Sequence, residues 1–281
     1  MPWFPEFVSA AELARRDEHA QGAADPVAQY LAALDTGDSR GLERVWPGDV
    51  LIQDPRAGVV RGHAQVRDFV RRNMSWLASH HAHVETVATT TSGSRAVVEL
   101  LARVDGPDGR TVEWPVAVVA ESADERSVTF RTYCSQWPVD GRRHVRPPVL
   151  GPSPAVLPGV TGRYRTALET GDVGAVLGLF HPAAYLRESF GPHSTHRGPA
   201  ELRAYFTACF DTGGIELEPC SLTEQGRRSA VEYTCVRWGS RDLPPQAGLA
   251  VHERGTDDLL TAVRLYDDIE PPARIGSGHN P

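Results

Sequence analysis

Four cysteines are scattered over the 281 residues, at Cys134, Cys209, Cys220 and Cys235, and no two form a Cys-x-x-Cys pair. A disulfide scaffold and a structural zinc site are therefore not expected. No apolar run approaches the roughly 20 residues that a membrane-spanning helix needs. The start, MPWFPEFVSAAELARRDEHA, has no basic segment ahead of an apolar core. Positive charge is not in excess: the formal net charge is -7, without the basic field of a nucleic-acid binder. These absences lead to the expectation of a cytoplasmic protein with reduced thiols, no metal, and neither a membrane nor a nucleic acid as partner.

What the chain does have is a stretch written twice. Tyr30 to Val70 contains Ala33-Leu34-Asp35-Thr36-Gly37-Asp38, and Tyr164 to Phe206 answers with Ala167-Leu168-Glu169-Thr170-Gly171-Asp172. Trp46 answers to Phe180, Asp54 to Glu188, Arg61-Gly62 to Arg197-Gly198 and Phe69 to Tyr205. The offset of about 134 residues is too long for a solenoid unit and fits a duplicated domain. The expected division is an arm over 1–24, a first domain over 25–140, a linker over 141–160, a second domain over 161–270 and a tail over 271–281.

In the arm, Ser9 is placed to cap a short helix, and Trp3, Phe4 and Phe7 either pack on a domain or cover a pocket mouth. Asp25-Pro26 opens the first helix, with Val27, Tyr30, Leu31 and Leu34 at helical spacing and Gly37 as its stop. A second helix presents Leu42, Val45 and Trp46, and a third, after Gly62, presents Val66, Phe69 and Val70. Strands are expected at Val50–Asp54, Val84–Thr91, Arg95–Val104, Arg110–Ala120 and Val128–Trp137. The second half repeats the plan with Ile215–Ser221, Arg228–Trp238, Gln246–His252 and Leu259–Asp267. Six prolines between 138 and 160 favour an extended, semi-rigid connection. Helices first and an antiparallel run afterwards define an α+β domain.

This order of elements, with a Thr-Gly-Asp turn, an acid at the end of the first strand and Arg-Gly before the third helix, resembles the NTF2-like superfamily, nearest its ketosteroid isomerase and SnoaL-like branch. The resemblance implies two tandem cone domains, each a strongly curved sheet around its first helix with an apolar pocket. It also implies a tyrosine of the first helix and the strand-end acid facing that pocket: Tyr30 and Asp54 in one copy, Tyr164 and Glu188 in the other. The later-strand acid of the isomerases is missing, its place falling at Ala117 and near Leu249. An intramolecular pseudo-dimer, with or without further homo-oligomerisation, follows from the many homodimeric relatives.

A desolvated carboxylate is a better proton acceptor, and a phenol can donate to an oxygen on which charge develops. Such a pair supports proton transfer beside a carbonyl with no cofactor; ketosteroid isomerase is a known instance. The opposing reading makes Tyr30 a core residue and Asp54 a turn acid. His63 either lines the pocket or caps the third helix; Phe69, Trp114 and Tyr205 are candidates for its wall. Trp114, Trp137 and Trp238 are equally candidates for core or inter-domain packing. Arg131 and Arg264 are expected in buried salt bridges with neighbouring acids, and Cys134 on the opposite strand face from Tyr133. His80, His81 and His83 read as a solvated loop. Three functions remain open: a proton-transfer enzyme (isomerase, cyclase or dehydratase) on a small apolar carbonyl metabolite, a non-catalytic binding or assembly module, or one active domain beside one structural domain.

Overall fold

The computed structural model describes residues 25–106, 109–153 and 156–269. The arm, with the cap expected of Ser9 and the packing expected of Trp3, Phe4 and Phe7, and the tail lie outside the described residues.

The first half begins with α1 (Pro26–Thr36), α2 (Arg40–Val45), β1 (Val50–Asp54), β2 (Gly58–Arg61) and α3 (Gly62–Ser79). It continues with β3 (His83–Ser92), β4 (Arg95–Asp105), β5 (Thr111–Ser122), β6 (Val128–Tyr133) and a short α4 (Trp137–Asp140). The second half repeats this with α5 (Gly159–Thr170), α6 (Val173–Leu177), β7 (Phe180–Arg187), β8 (Thr195–Arg197), α7 (Gly198–Cys209), β9 (Ile215–Gln225), β10 (Arg228–Trp238), β11 (Arg241–Arg254) and β12 (Leu260–Asp267). Each half carries one six-stranded sheet, in the orders β2-β1-β6-β5-β4-β3 and β8-β7-β12-β11-β10-β9. The pairs β1–β6 and β7–β12 are parallel and all others antiparallel, so both sheets are mixed.

Local chemistry sets the helices. The Asp25 carboxylate accepts from Ala28 N at 2.9 Å, Pro26 fills the first helical position, and Gly37 closes α1 in the left-handed conformation at φ 70°. Asp172 caps α6 in the same manner, accepting from Ala175 N at 2.9 Å. Along α1, Val27, Tyr30 and Ala33 are buried at one-turn spacing and rest inside the first sheet. Bulges in the β9–β10 and β3–β4 pairings bend those sheets around the helices.

Strand alternation then sorts two surfaces. On β6 and just beyond it, Val128, Phe130 and Cys134 face the first core, while Tyr133 joins a separate cluster with Val97, Ala117 and Val119. That cluster also contains Ala230, Leu249, Val251 and Tyr266 of the second half. The outer faces of the two sheets thus press on one another, and each inner face holds its own helices.

Several expectations needed correction. The last strand of the first half stops at Tyr133, and Trp137–Asp140 is helical. Ser135 and Gln136 leave the ladder because Asp268 of the second half takes the Ser135 hydroxyl at 2.7 Å and the Gln136 amide at 3.1 Å. Trp137 is 40% exposed, so it is not core. Beyond the expected strands there are two short ones, β2 and β8, and each folds back on the strand before it. Strand β11 extends well before Gln246, through Pro244 and Pro245. The linker is docked at two points: Arg146 O accepts from Ala247 N at 2.8 Å, and Ser153 N donates to Pro219 O at 2.8 Å.

Candidate functional sites in the two cones

The inner face of the first sheet encloses a cavity of about 490 Å³. Tyr30 from α1, Asp54 at the end of β1, Phe69 and Trp76 from α3 and Trp114 from β5 line it. The Tyr30 ring stacks on Phe130 at 4.5 Å, which fixes its direction. Burial, reinforced by the nearby Asp54 charge, pushes the Tyr30 phenol well above its ordinary range, so it remains a protonated donor. The Thr132 hydroxyl approaches it without completing a well-formed hydrogen bond. Asp54 is half-buried, and its Oδ1 accepts from Arg56 N at 2.9 Å and Ala57 N at 2.8 Å. It is therefore a turn acid that also borders a cavity; the two readings from sequence coexist in one side chain.

Phe69, Asn73 and Trp76 all line this cavity at spacings of four and three residues, one face of α3. Trp76 was not anticipated, although helical periodicity from Phe69 pointed to it. Its ring meets Trp114 edge-on at 5.8 Å and carries the Arg56 guanidinium at 4.5 Å. Trp114 Nε1 donates to Ser135 O at 2.7 Å. Gln136 faces the cavity with its Nε2 3.2 Å from Cys134 Sγ, a weak acceptor. Burial pushes the Cys134 thiol far up, which removes it as a nucleophile.

His63 is not part of the lining: its Nε2 lies 2.9 Å from Trp46 O and ties α3 to the end of α2. Ala117 and Leu249 belong to the cluster between the sheets. The sequence comparison that put the missing acid at those two positions therefore chose the wrong strand face; Val116 and Val118 face the first cavity instead. The three histidines after α3 diverge. His80 stacks on Trp76 at 4.1 Å, His81 meets Asp105 at 2.7 Å and His83 approaches Glu85 at 3.6 Å. Among the described residues no group of three potential ligands converges on a metal position.

The second cavity is smaller, about 110 Å³. Tyr164, Glu188 and Tyr205 line it, as do Tyr233, His252 and Asp267, which the sequence did not single out. Glu188 is held by His196, Nε2 to Oε1 at 2.9 Å, and His196 stacks on Tyr205 at 4.4 Å. Strand β8, folded back on β7, thus delivers a histidine to the strand-end acid. Asp267 is half-buried on the cavity wall, and burial pushes its carboxyl up to about 6. The Tyr233 hydroxyl donates to Asp267 Oδ2 and opposes that rise. Burial holds the His252 imidazole down at about 4. Alternation gave the signal for Asp267: Tyr266 faces the other domain, so its neighbour faces the cone.

The registers match the two halves residue by residue. Glu99 opposes Ala117 and Ala117 opposes Tyr133; Glu232 opposes Leu249 and Leu249 opposes Tyr266. Leu100, Ala120 and Cys134 therefore occupy the places of Tyr233, His252 and Asp267. The duplicated cones have diverged at these three strand positions, apolar or sulfur-bearing in one and polar in the other.

The SnoaL-like domain model matches residues 27–130 and again 161–261, and the chain belongs to that family, as two tandem NTF2-like domains. Solved structures resemble it at low identity. A Sinorhizobium meliloti protein provisionally described as a polyketide cyclase is 18% identical over 39% of this chain and 94% of its own, with a TM-score of 0.33. A SnoaL-like protein of unknown function from Burkholderia thailandensis is 17% identical over 38% and 89%, with a TM-score of 0.32. An NTF2-like protein of unknown function from Cytophaga hutchinsonii is 11% identical over 38% and 85%, with a TM-score of 0.31. No curated protein matches. No described helix is long and apolar enough to cross a membrane.

Proposed function

We propose that the first cone is the active site of a cofactor-independent isomerase, cyclase or dehydratase acting on a small apolar carbonyl compound. One observation carries this reading: Asp54 and Tyr30 open onto the same apolar cavity of about 490 Å³, within the usual range for a ligand site of a few hundred Å³. Asp54 takes a proton from the carbon beside the carbonyl and returns it elsewhere on the same molecule. Its Oδ1 is anchored by two backbone amides, which orients the carboxylate toward the reacting carbon. Tyr30 donates to the carbonyl oxygen as it gains enolate character, and the Gln136 side-chain amide, which also lines the cavity, is a further donor. The chain contains no lysine, so an imine on a lysine side chain is excluded and the proton chemistry falls to carboxylate and phenol. Glu188 is the weaker base, because His196 already occupies it.

The test is exchange of substrate α-protons in D₂O over a panel of β,γ-enones and aromatic polyketides, with binding followed by quenching of Trp76 and Trp114. Asp54→Asn is expected to lose exchange by at least about 100-fold and to keep binding. Binding without exchange in the wild type would favour the ligand-holding alternative. Full exchange in Asp54→Asn would remove Asp54 as the base.

A further inference from the structure

We propose that the second cone is a separate binding site for a small alkylammonium cation, with Asp267 as its counter-ion. This concerns the other cavity and does not depend on the chemistry assigned to the first.

The argument starts from hydrogen-bond valence. Asp267 lies on the cavity wall at the end of β12, and its partners are the Tyr233 hydroxyl at Oδ2 and the Ile269 amide, 3.4 Å from Oδ1. No ion pair joins it to a basic side chain among the described residues. Two arginines line the cavity and each is engaged elsewhere: Arg143 spends its Nη1 on Ile269 O at 2.6 Å and lies over the Phe190 ring at 4.5 Å, and Arg165 Nη1 pairs with Glu169 Oε2 at 3.2 Å. His252 is 4% exposed and lines the same cavity, and its Nδ1 is buried with no hydrogen-bond partner. Burial keeps this imidazole neutral near pH 7. Asp267 thus has no ion-pair partner among the described residues and His252 Nδ1 no hydrogen-bond partner, and both groups cost free energy while they stay unmatched.

The remaining walls are aromatic. Tyr164, Tyr205, Phe206 and Trp238 surround the space, and Tyr164 meets the His252 ring at 5.4 Å. Ring faces attract a cation, most strongly where water is excluded. An ammonium group supplies what is missing: positive charge for Asp267 and alkyl groups for the rings. A neutral carbonyl compound brings only another acceptor. A volume of about 110 Å³ limits the ligand to a handful of non-hydrogen atoms, since by this measure one water takes about 10–15 Å³. The first cone has Leu100, Ala120 and Cys134 at the three corresponding places and so carries no carboxylate there.

The experiment is calorimetric titration of the full chain at pH 7.5 with tert-butylammonium chloride and with its neutral isostere tert-butanol, for the wild type, Asp267→Asn and Asp54→Asn. The ammonium ion is expected to bind saturably, at least tenfold more tightly than the alcohol. Asp267→Asn should lose at least tenfold, and Asp54→Asn should bind as the wild type does. No saturable binding of the ammonium ion, or equal binding of the alcohol, overturns the proposal on the wild type alone. So does an unchanged affinity in Asp267→Asn. Should that variant fail to fold, Ala250→Phe, which fills the same cavity from β11, is expected to abolish binding, and retained binding there is equally decisive.

Discussion

Arg131 of the first half and Glu232 of the second form a two-pronged ion pair in the contact between the sheets, Nε to Oε1 at 2.6 Å and Nη2 to Oε2 at 2.8 Å, each side chain 2% exposed. The duplication repeats it: Arg264 Nη2 reaches Glu99 Oε1 at 2.9 Å, and its Nε meets the other carboxylate oxygen. Tyr133 donates to Glu232 and Tyr266 to Glu99, while Glu121 and Glu253 back the two arginines from their own sheets. Burial by itself would lower the Arg131 guanidinium, but the hydrogen bonds and charge of Glu232 outweigh it and hold the group above its ordinary range.

Breaking one member of such a pair leaves a buried charge without its partner. Arg131→Met is expected to cost about 3–5 kcal/mol, measured by urea unfolding of the full chain. The double variant Arg131→Met/Glu232→Leu should recover most of that loss, because well-packed apolar side chains can replace a buried ion pair. A single-variant cost below about 1 kcal/mol would contradict the assignment.

Asp268 is the second tie between the halves. It accepts from the Ser135 hydroxyl at 2.7 Å, Gln136 N at 3.1 Å and His144 N at 2.6 Å. Asp268→Ala leaves three buried or half-buried donors unmatched and is expected to cost about 3 kcal/mol. The region after Tyr133 should become cleavable by trypsin at Arg142 and Arg143, and unchanged proteolysis would count against the docking role.

The pH dependence of Asp267 follows from its native value of about 6 against an ordinary 3.8. The native state holds this proton more tightly than the unfolded chain, so its contribution to stability falls as pH rises from about 4 to 6. Asp267→Asn removes that loss. The variant should match the wild type near pH 3.5 and exceed it at pH 7.5 by at most ~3 kcal/mol. His252 acts in the opposite sense, its native value near 4 taking stability away as pH falls from 6.5. It is present in both proteins, so the difference between them isolates Asp267. A gap that does not grow with pH would mean the carboxyl is not desolvated.

Gly248 faces Tyr233 across the β10–β11 ladder, and a Cβ there would lie 2.5 Å from the tyrosine ring. Gly248→Ala is expected to cost about 2 kcal/mol by overpacking and to swing the ring off Asp267. The first sheet contains the compensating combination, Leu100 opposite Val116. Tyr233→Leu/Gly248→Val should therefore melt closer to the wild type than Gly248→Ala does, and the reverse order would refute the correspondence.

Much of the architecture was legible in the chain because duplication exposes it: a pattern that recurs in register marks helices, strand ends and turns twice. Asp25 and Gly37 act through backbone groups a few residues away, so their roles follow from spacing alone. The placement of Tyr30 and Asp54 on one cavity was expected from the resemblance and agrees with where the structure puts them. Trp76 and Asp267 were within reach of helical and strand periodicity, but periodicity says only which face a residue takes, and it does not say which face is hollow.

What tertiary structure alone decided is the pairing of groups about 100 residues or more apart. Arg131 could be expected to find an acid; that the acid is Glu232, across the duplication, depends on how two sheets stack, which no local preference encodes. The different sizes and polarities of the two cones have the same origin. Tyr233, His252 and Asp267 come from three strands, and only the register between those strands brings an unpaired nitrogen and a desolvated carboxyl into one enclosed space. Sequence determined the repeated fold because backbone preferences are local. The chemistry of each cavity was left to tertiary structure because desolvation and charge pairing are properties of the space between elements.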